Sequence, residues 1–181
     1  MADPIAAWHA EHGYFRRLLA LLHKQIDVFR PGEHPNYELM LDIVSYLRDF
    51  TDQVHHPRED VAFMHLARYR PDLALVLERL NQEHRVIAKA GDSLRDVLQA
   101  VIGGAIVPRA EVEAAAATYL VYYGNHIAKE EEDTLSRAAQ ALTPKDWEDV
   151  RSAVPGVNDP LVYGSMEERY RELRRQIALE T

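Results

Sequence analysis

The sequence predicts an all-α protein, an antiparallel up-down-up-down four-helix bundle with a C-terminal helical extension. Apolar residues recur at helical spacing along most of the chain, and the alternation typical of strands is scarce. Four of these stretches are long enough to be bundle helices, and short segments rich in Pro and Gly connect them. Because short connections place successive long helices antiparallel, the four helices are expected to alternate in direction.

Each predicted helix has recognisable boundaries. The first follows Asp3-Pro4, since proline suits the first turn of a helix. The predicted spans are Pro4 to near Pro31, about Tyr37 to about Arg68, Leu73 to Gly103, and Pro108 to Leu142. The second span contains an interior proline, Pro57, which is expected to kink it because proline lacks a backbone N–H.

The sequence divides into a bundle, residues 1–142, and an extension, residues 143–181. The extension contains a predicted short helix, Pro144 to Ala153, a linker, and an amphipathic stretch from Met166 to Leu179. We expect the apolar stripe of that stretch to dock on the bundle or on a second subunit or partner protein. Its members are Met166, Tyr170, Leu173 and Ile177.

Composition excludes several functional classes. The 181 residues are 47% apolar, enough to bury a core, and the absence of cysteine excludes disulfides, thiolate metal sites and a cysteine nucleophile. A net charge of -8 argues against nucleic-acid and anionic-membrane surfaces, which are held mainly by Lys and Arg. No long apolar run or basic leader is present, so we expect a cytoplasmic protein.

A duplicated pattern of histidines and glutamates is the main functional signal. Each half supplies a lone histidine and an HxxxE pair, in which both side chains lie on one helix face. The second lone histidine follows the first by 72 positions, and the second HxxxE pair follows the first by 71. The six residues are His12, His55, Glu59, His84, His126 and Glu130.

These residues predict a site for two metal ions. A carboxylate in an apolar seam is costly unless it is paired or binds a metal, and a metal-free polar core is the alternative. Six nitrogen and oxygen ligands exceed the need of one tetrahedral zinc, which favours two iron ions, with manganese or zinc as substitutes. We expect both glutamates to bridge the ions, together with an oxo or hydroxo group. The predicted pairs are His12 with His126 and His55 with His84.

Other polar residues lie near these positions. His56 is an alternative to His55, although it points about 100° away from the Glu59 face. Tyr119 and Tyr123 either pack in the core or donate to a bound ligand. Glu11 and Glu83, each beside a lone histidine, are either solvated or accept hydrogen bonds from histidines of other helices. The ferritin-like di-iron class is disfavoured because no glutamate is followed three residues later by histidine.

Four motifs resemble one known family. They are His12, HHPRE from His55 to Glu59, QEH from Gln82 to His84, and HIAKE from His126 to Glu130. The chain resembles the hemerythrin-like HHE cation-binding proteins, four-helix bundles that hold a non-haem di-iron centre. The resemblance covers about residues 1–142 and implies that the six residues are iron ligands.

One departure from the oxygen-carrying hemerythrins changes the expected function. Those proteins have a fifth histidine in an HxxxH pair with the ligand of the third helix, whereas Leu80 and Ala88 flank His84 at that spacing. The set of four histidines and two glutamates is more similar to di-iron proteins linked to nitrosative stress and repair of iron-sulfur centres. We expect a protein that binds O₂, NO or peroxide in an oxygen or nitrosative stress response or in sensing. Enzymatic reduction of NO, decomposition of peroxide and donation of iron are the alternatives.

Overall fold

Four long helical runs build the fold. The computed structural model describes residues 4–29, 33–154 and 168–179, and these residues contain no β-strand. The first run is α1 (Pro4–Asp27) and the third is α4 (Ala74–Ile102), which follows a 3-10 turn (Pro71–Leu73). The second run comprises α2 (Tyr37–Tyr46), a π-helical segment (Leu47–His55) and α3 (His56–Tyr69). The fourth comprises α5 (Arg109–Lys129), a π-helical segment (Glu130–Thr134) and α6 (Leu135–Ala141).

The predicted boundaries agree with the last three runs within two residues. Asn36 caps the second run, with its side chain accepting a hydrogen bond from the backbone N–H of Leu39 at 2.9 Å. The first run ends earlier than predicted, at Asp27, and Pro31 lies outside the described residues. The all-α prediction is confirmed for the described part of the chain, while the up-down-up-down order of the runs stays a prediction.

Both π-helical segments adjoin the predicted metal ligands. The backbone N–H of His56 bonds to the carbonyl of Thr51, and that of Leu135 bonds to the carbonyl of Glu130, so each spans five residues. Pro57 consequently lies in the first turn of α3. A backbone N–H is not needed for the hydrogen bonds of an α-helix in that turn, so proline is tolerated there. The proline is accommodated where the helix changes type, and the predicted kink stays a prediction.

A buried polar layer divides the core into two apolar clusters. On one side the cluster includes Trp8, Phe63 and Leu80, and on the other it includes Phe15 and Ile87. α4 packs along α5 and α2, and α1 packs along the same two helices. The six predicted ligands therefore share one level of the bundle, between two regions that exclude water.

Two further helices lie against the bundle. The predicted helix α7 (Pro144–Ala153) is confirmed and packs on α3, with Trp147 buried. α8 (Glu168–Leu179) contacts α1 and α2 and buries Leu173 in the apolar core. Of the predicted stripe, Met166 lies outside the described residues, as do the side chains of Tyr170 and Ile177, so docking of the whole stripe stays a prediction. The division of the chain at residue 142 stays a prediction.

Candidate metal centre

The structure brings all six predicted residues together in the buried layer. The exposed fraction of their side chains is lowest for the two glutamates, 0%, and highest for His84, 6%. In one half, the Nε2 atoms of His12 and His55 lie 2.9 Å apart. Oε1 of Glu59 lies 3.1 Å from Nε2 of His55 and 3.4 Å from Nε2 of His12.

The other half has the same arrangement. Oε1 of Glu130 lies 3.1 Å from Nε2 of His126 and 3.6 Å from Nε2 of His84. The ring centroids of these two histidines are 4.6 Å apart. The lone histidine of each half therefore meets the histidine of the HxxxE pair that belongs to the same half.

The predicted pairing of the histidines is wrong. The sequence-based pairs were His12 with His126 and His55 with His84, whereas the structure places His12 beside His55 and His84 beside His126. Exchanging the two halves of the repeat swaps His12 with His84 and His55 with His126. Either set of pairs is unchanged by this swap, so the repeat is compatible with both sets. The pairing is decided by which histidines lie side by side in the folded chain.

Each glutamate faces both histidine pairs. While Oε1 of Glu59 faces His12 and His55, its Oε2 lies 3.4 Å from Nε2 of His84. In the same way, Oε2 of Glu130 lies 3.6 Å from Nε2 of His12. One oxygen of each carboxylate thus belongs to each half, which is the arrangement required of a bridging ligand.

A shell of carboxylates faces the outer nitrogens of the histidines. Nδ1 of His55 bonds to Glu11, Nδ1 of His84 bonds to Asp60 at 2.8 Å, and Nδ1 of His126 bonds to Glu83 at 3.3 Å. Nδ1 of His12 lies 3.3 Å from Oε1 of Glu131. A proton on Nδ1 directed at a carboxylate leaves the Nε2 lone pair for the interior, as in histidines that bind metals.

Sequence reasoning found half of this shell. Glu11 and Glu83 accept hydrogen bonds from histidines of other helices, which is one of the two roles considered for them and not the solvated one. Asp60 and Glu131 were missed, although a signal was present. Each directly follows a predicted ligand glutamate, so an acidic pair recurs at the same 71-residue offset.

His56 does not take the place of His55. Its ring is buried and stacks on that of His84, with centroids 4.1 Å apart and planes 9° from parallel. Its Nδ1 lies 3.0 Å from Oδ1 of Asp52, in the preceding π-helical segment. A ring nitrogen of His56 is close to the ligand atoms of His84 and His126. Because stacked parallel rings do not point at one centre, we assign His56 to the wall of the site.

Comparison with known families gives one match. Residues 3–138 match the family described as the Hemerythrin HHE cation binding domain. The chain belongs to this family. No curated protein and no solved structure matches the chain at a significant level. Membership implies that this HHE-domain protein binds a cation, for which iron is the expected metal, and its buried His and Glu clusters have the donors for one.

The unpaired atoms of the HHE site fit a cation. Among the described residues, no donor meets hydrogen-bond geometry with either carboxylate oxygen of Glu59 or Glu130, although histidines lie close, and the Nε2 atoms of His84 and His126 are also buried without a hydrogen bond. Leaving buried polar atoms unsatisfied is costly, and atoms that offer only lone pairs are satisfied by a metal ion. The residues present therefore suit the group that the family implies.

Without a metal, protons balance the charge of these carboxylates. Burial lowers the pKa of His55, but Glu59 and Glu11 outweigh it and raise the pKa to about 10. Burial is likewise outweighed at His84, where Asp60, Glu130 and Glu59 raise the pKa to about 11. A metal entering the HHE site must displace these protons, so its binding weakens as the pH falls.

One further cluster of acidic residues and histidine has a structural explanation. Nδ1 of His65 lies 3.0 Å from Oδ1 of Asp146, and its Nε2 lies 3.4 Å from Asp149. Oδ2 of Asp146 accepts hydrogen bonds from the backbone N–H of Thr143 and from the hydroxyl of Tyr69. The cluster caps α7 and holds it against α3.

No helix among the described residues has the length and apolarity needed to cross a membrane.

Replacing Glu83 with alanine is expected to lower the metal affinity of the HHE site by about 10- to 100-fold. The carboxylate of Glu83 orients His126, and the bond from His126 lowers the pKa of Glu83 to about 2, with Lys129 contributing. Metal titration with a competing chelator measures the effect. Glu78→Ala, an exposed change on the same helix, is the matched control. Equal affinities for the two variants would show that Glu83 does not support the site.

Proposed function

We propose that the protein is a non-haem di-iron protein that binds O₂, NO or peroxide. One iron ion would be held by His12 and His55 and the other by His84 and His126, with Glu59 and Glu130 bridging them. The observation that carries the proposal is the position of the two glutamates, each with one oxygen facing each histidine pair.

The donor set favours iron. Imidazole and carboxylate ligands suit iron, manganese and zinc, and the chain has no thiolate to offer. Two bridging carboxylates and two imidazoles per ion leave coordination positions open, whereas structural zinc sites are closed. The outer carboxylates increase the basicity of the imidazoles, which supports binding of strongly charged ions. Manganese and zinc are the competing metals.

The bound ions would supply open positions for a small ligand, and the protein's own residues control access to them. The two apolar clusters exclude bulk water from both sides of the polar layer. Such a site suits reversible binding or sensing in an oxygen or nitrosative stress response. Turnover of NO or peroxide, or donation of iron for repair of iron-sulfur centres, would use the same ligands. We also propose that the protein is cytoplasmic. We further propose that the four long helical runs of the bundle alternate up-down-up-down.

Metal content is the direct test. Protein purified from iron-supplemented cells without an affinity tag is expected to contain about two iron ions per chain by elemental analysis. Reconstitution with iron, manganese and zinc at equal concentrations, in separate samples, establishes which metal fills both sites. Near-zero metal that persists after anaerobic reconstitution with iron would show that the six residues form a metal-free polar core.

A further inference from the structure

Tyr123 packs beside two residues that contact opposite halves of the candidate metal centre. It precedes His126 by three residues and Glu130 by seven, so it shares their helix face. Its ring centroid is 6.4 Å from that of Phe15, which packs on His55, and 6.0 Å from that of His56, which packs on His84. The side chain is 1% exposed.

The hydroxyl of Tyr123 is buried without a hydrogen-bond partner among the described residues. Thr51 is close enough to lower its pKa, but the two hydroxyls do not meet in hydrogen-bonding geometry, and the Thr51 hydroxyl donates to the carbonyl of Leu47. Burial raises the pKa of Tyr123 well above its usual value, and the charges of Tyr119, Glu59 and Glu130 add to the effect. The hydroxyl therefore keeps its proton and remains a donor near the two bridging carboxylates.

An unsatisfied buried hydroxyl lowers the free energy of unfolding, and phenylalanine at the same position would avoid this cost. Residues that break the rules of core composition in this way are expected at functional sites. The repeat adds a second argument. The position equivalent to Tyr123 in the first half, 71 residues earlier, is Asp52, whose carboxylate cannot donate when ionised. The second half of the repeat therefore has a hydrogen-bond donor at this position, whereas the first half does not.

We propose that the Tyr123 hydroxyl donates a hydrogen bond to a small anionic ligand of the peroxide class at the metal centre, and so favours such anions over neutral NO. The inference rests on the proposed function and narrows its ligand class. Tyr119 is the matched comparison. It is equally buried, its hydroxyl is also unpartnered, and it lies one turn farther from the ligands, where its charged neighbours are Arg48 and Asp92.

Tyr123→Phe is expected to weaken the binding of azide, an anionic probe of this class, by about tenfold or more in the iron-loaded protein. NO affinity is expected to change by less than about threefold, and Tyr119→Phe to change neither. Both affinities are measured by optical titration, after elemental analysis of each variant. Unchanged azide affinity in Tyr123→Phe, or an equal loss for azide and NO, would overturn the proposal.

A second measurement needs no metal. Because phenylalanine removes an unsatisfied hydroxyl, metal-free Tyr123→Phe is expected to unfold at a higher denaturant concentration than the wild type. A lower midpoint would show that the hydroxyl has a structural partner and would contradict the proposal. Absence of iron from the wild type would instead refute the proposed di-iron function, and the elemental analysis reveals that outcome before any ligand is added.

Discussion

Replacing both His12 and His55 with alanine is expected to leave one metal ion per chain instead of two. These histidines supply the two Nε2 atoms of one half, 2.9 Å apart, and the ion they hold would keep only carboxylate ligands. The ion of His84 and His126 would keep both of its imidazoles. Elemental analysis after reconstitution with excess iron measures the stoichiometry, and calorimetric titration measures the affinity of the remaining site.

A double variant that removes one histidine from each half, called the cross pair, provides the control. His12→Ala combined with His126→Ala removes one imidazole from each half, so both ions are expected to bind more weakly and neither site to remain intact. Both double variants remove two buried histidines, which makes their structural costs comparable. If the cross pair keeps one ion at full affinity while the first double variant loses both, the pairing predicted from the sequence would be right after all.

Replacing Glu130 with alanine is expected to lose at least one metal ion per chain. Its two oxygens face different histidine pairs, so the change removes one ligand from each ion. Burial and Glu59 raise the pKa of Glu130, but His126 and His84 outweigh them and keep the group ionised in the metal-free chain. Metal content by elemental analysis is the measurement.

Glu132→Ala is the matched control for this change. Glu132 is exposed and lies in the same π-helical segment, so the substitution alters the local helix equally without touching the site. It is expected to keep two ions. If Glu130→Ala also keeps two ions, the bridging assignment is wrong and Glu130 serves only to balance the buried histidines.

The all-helical fold and the grouping of the six residues in one layer followed from spacing along the chain. Helical periodicity placed Trp8, Phe63 and Leu80 in the core because burial of an apolar face requires that spacing. The repeat placed the six ligands in one layer for the same reason. The pairing of histidines did not follow, because it depends on which helices are neighbours at that level, and a twofold repeat permits both solutions.

The change of helix type next to the ligands was also beyond sequence reasoning. Pro57 signalled a local departure from α-helical bonding, but Glu130 begins a π-helical segment with no proline near it. The choice between four- and five-residue bonding depends on which side chains the bundle must turn inward. Asp60 and Glu131 were missed for a different reason, because an acidic residue beside another is usually read as solvated surface.

If the chain holds two iron ions as proposed, the carboxylates around them would influence their preferred oxidation state. When ionised, the two glutamates proposed to bridge and the four outer acids, Glu11, Asp60, Glu83 and Glu131, would together neutralise two trivalent ions and exceed the charge of two divalent ones. In a layer shielded from water, such an excess is poorly screened. In the proposed di-iron centre such a shell would stabilise the oxidised pair and lower its reduction potential, and Arg16 and Lys129, which pair with Glu131 and Glu83, would moderate this effect.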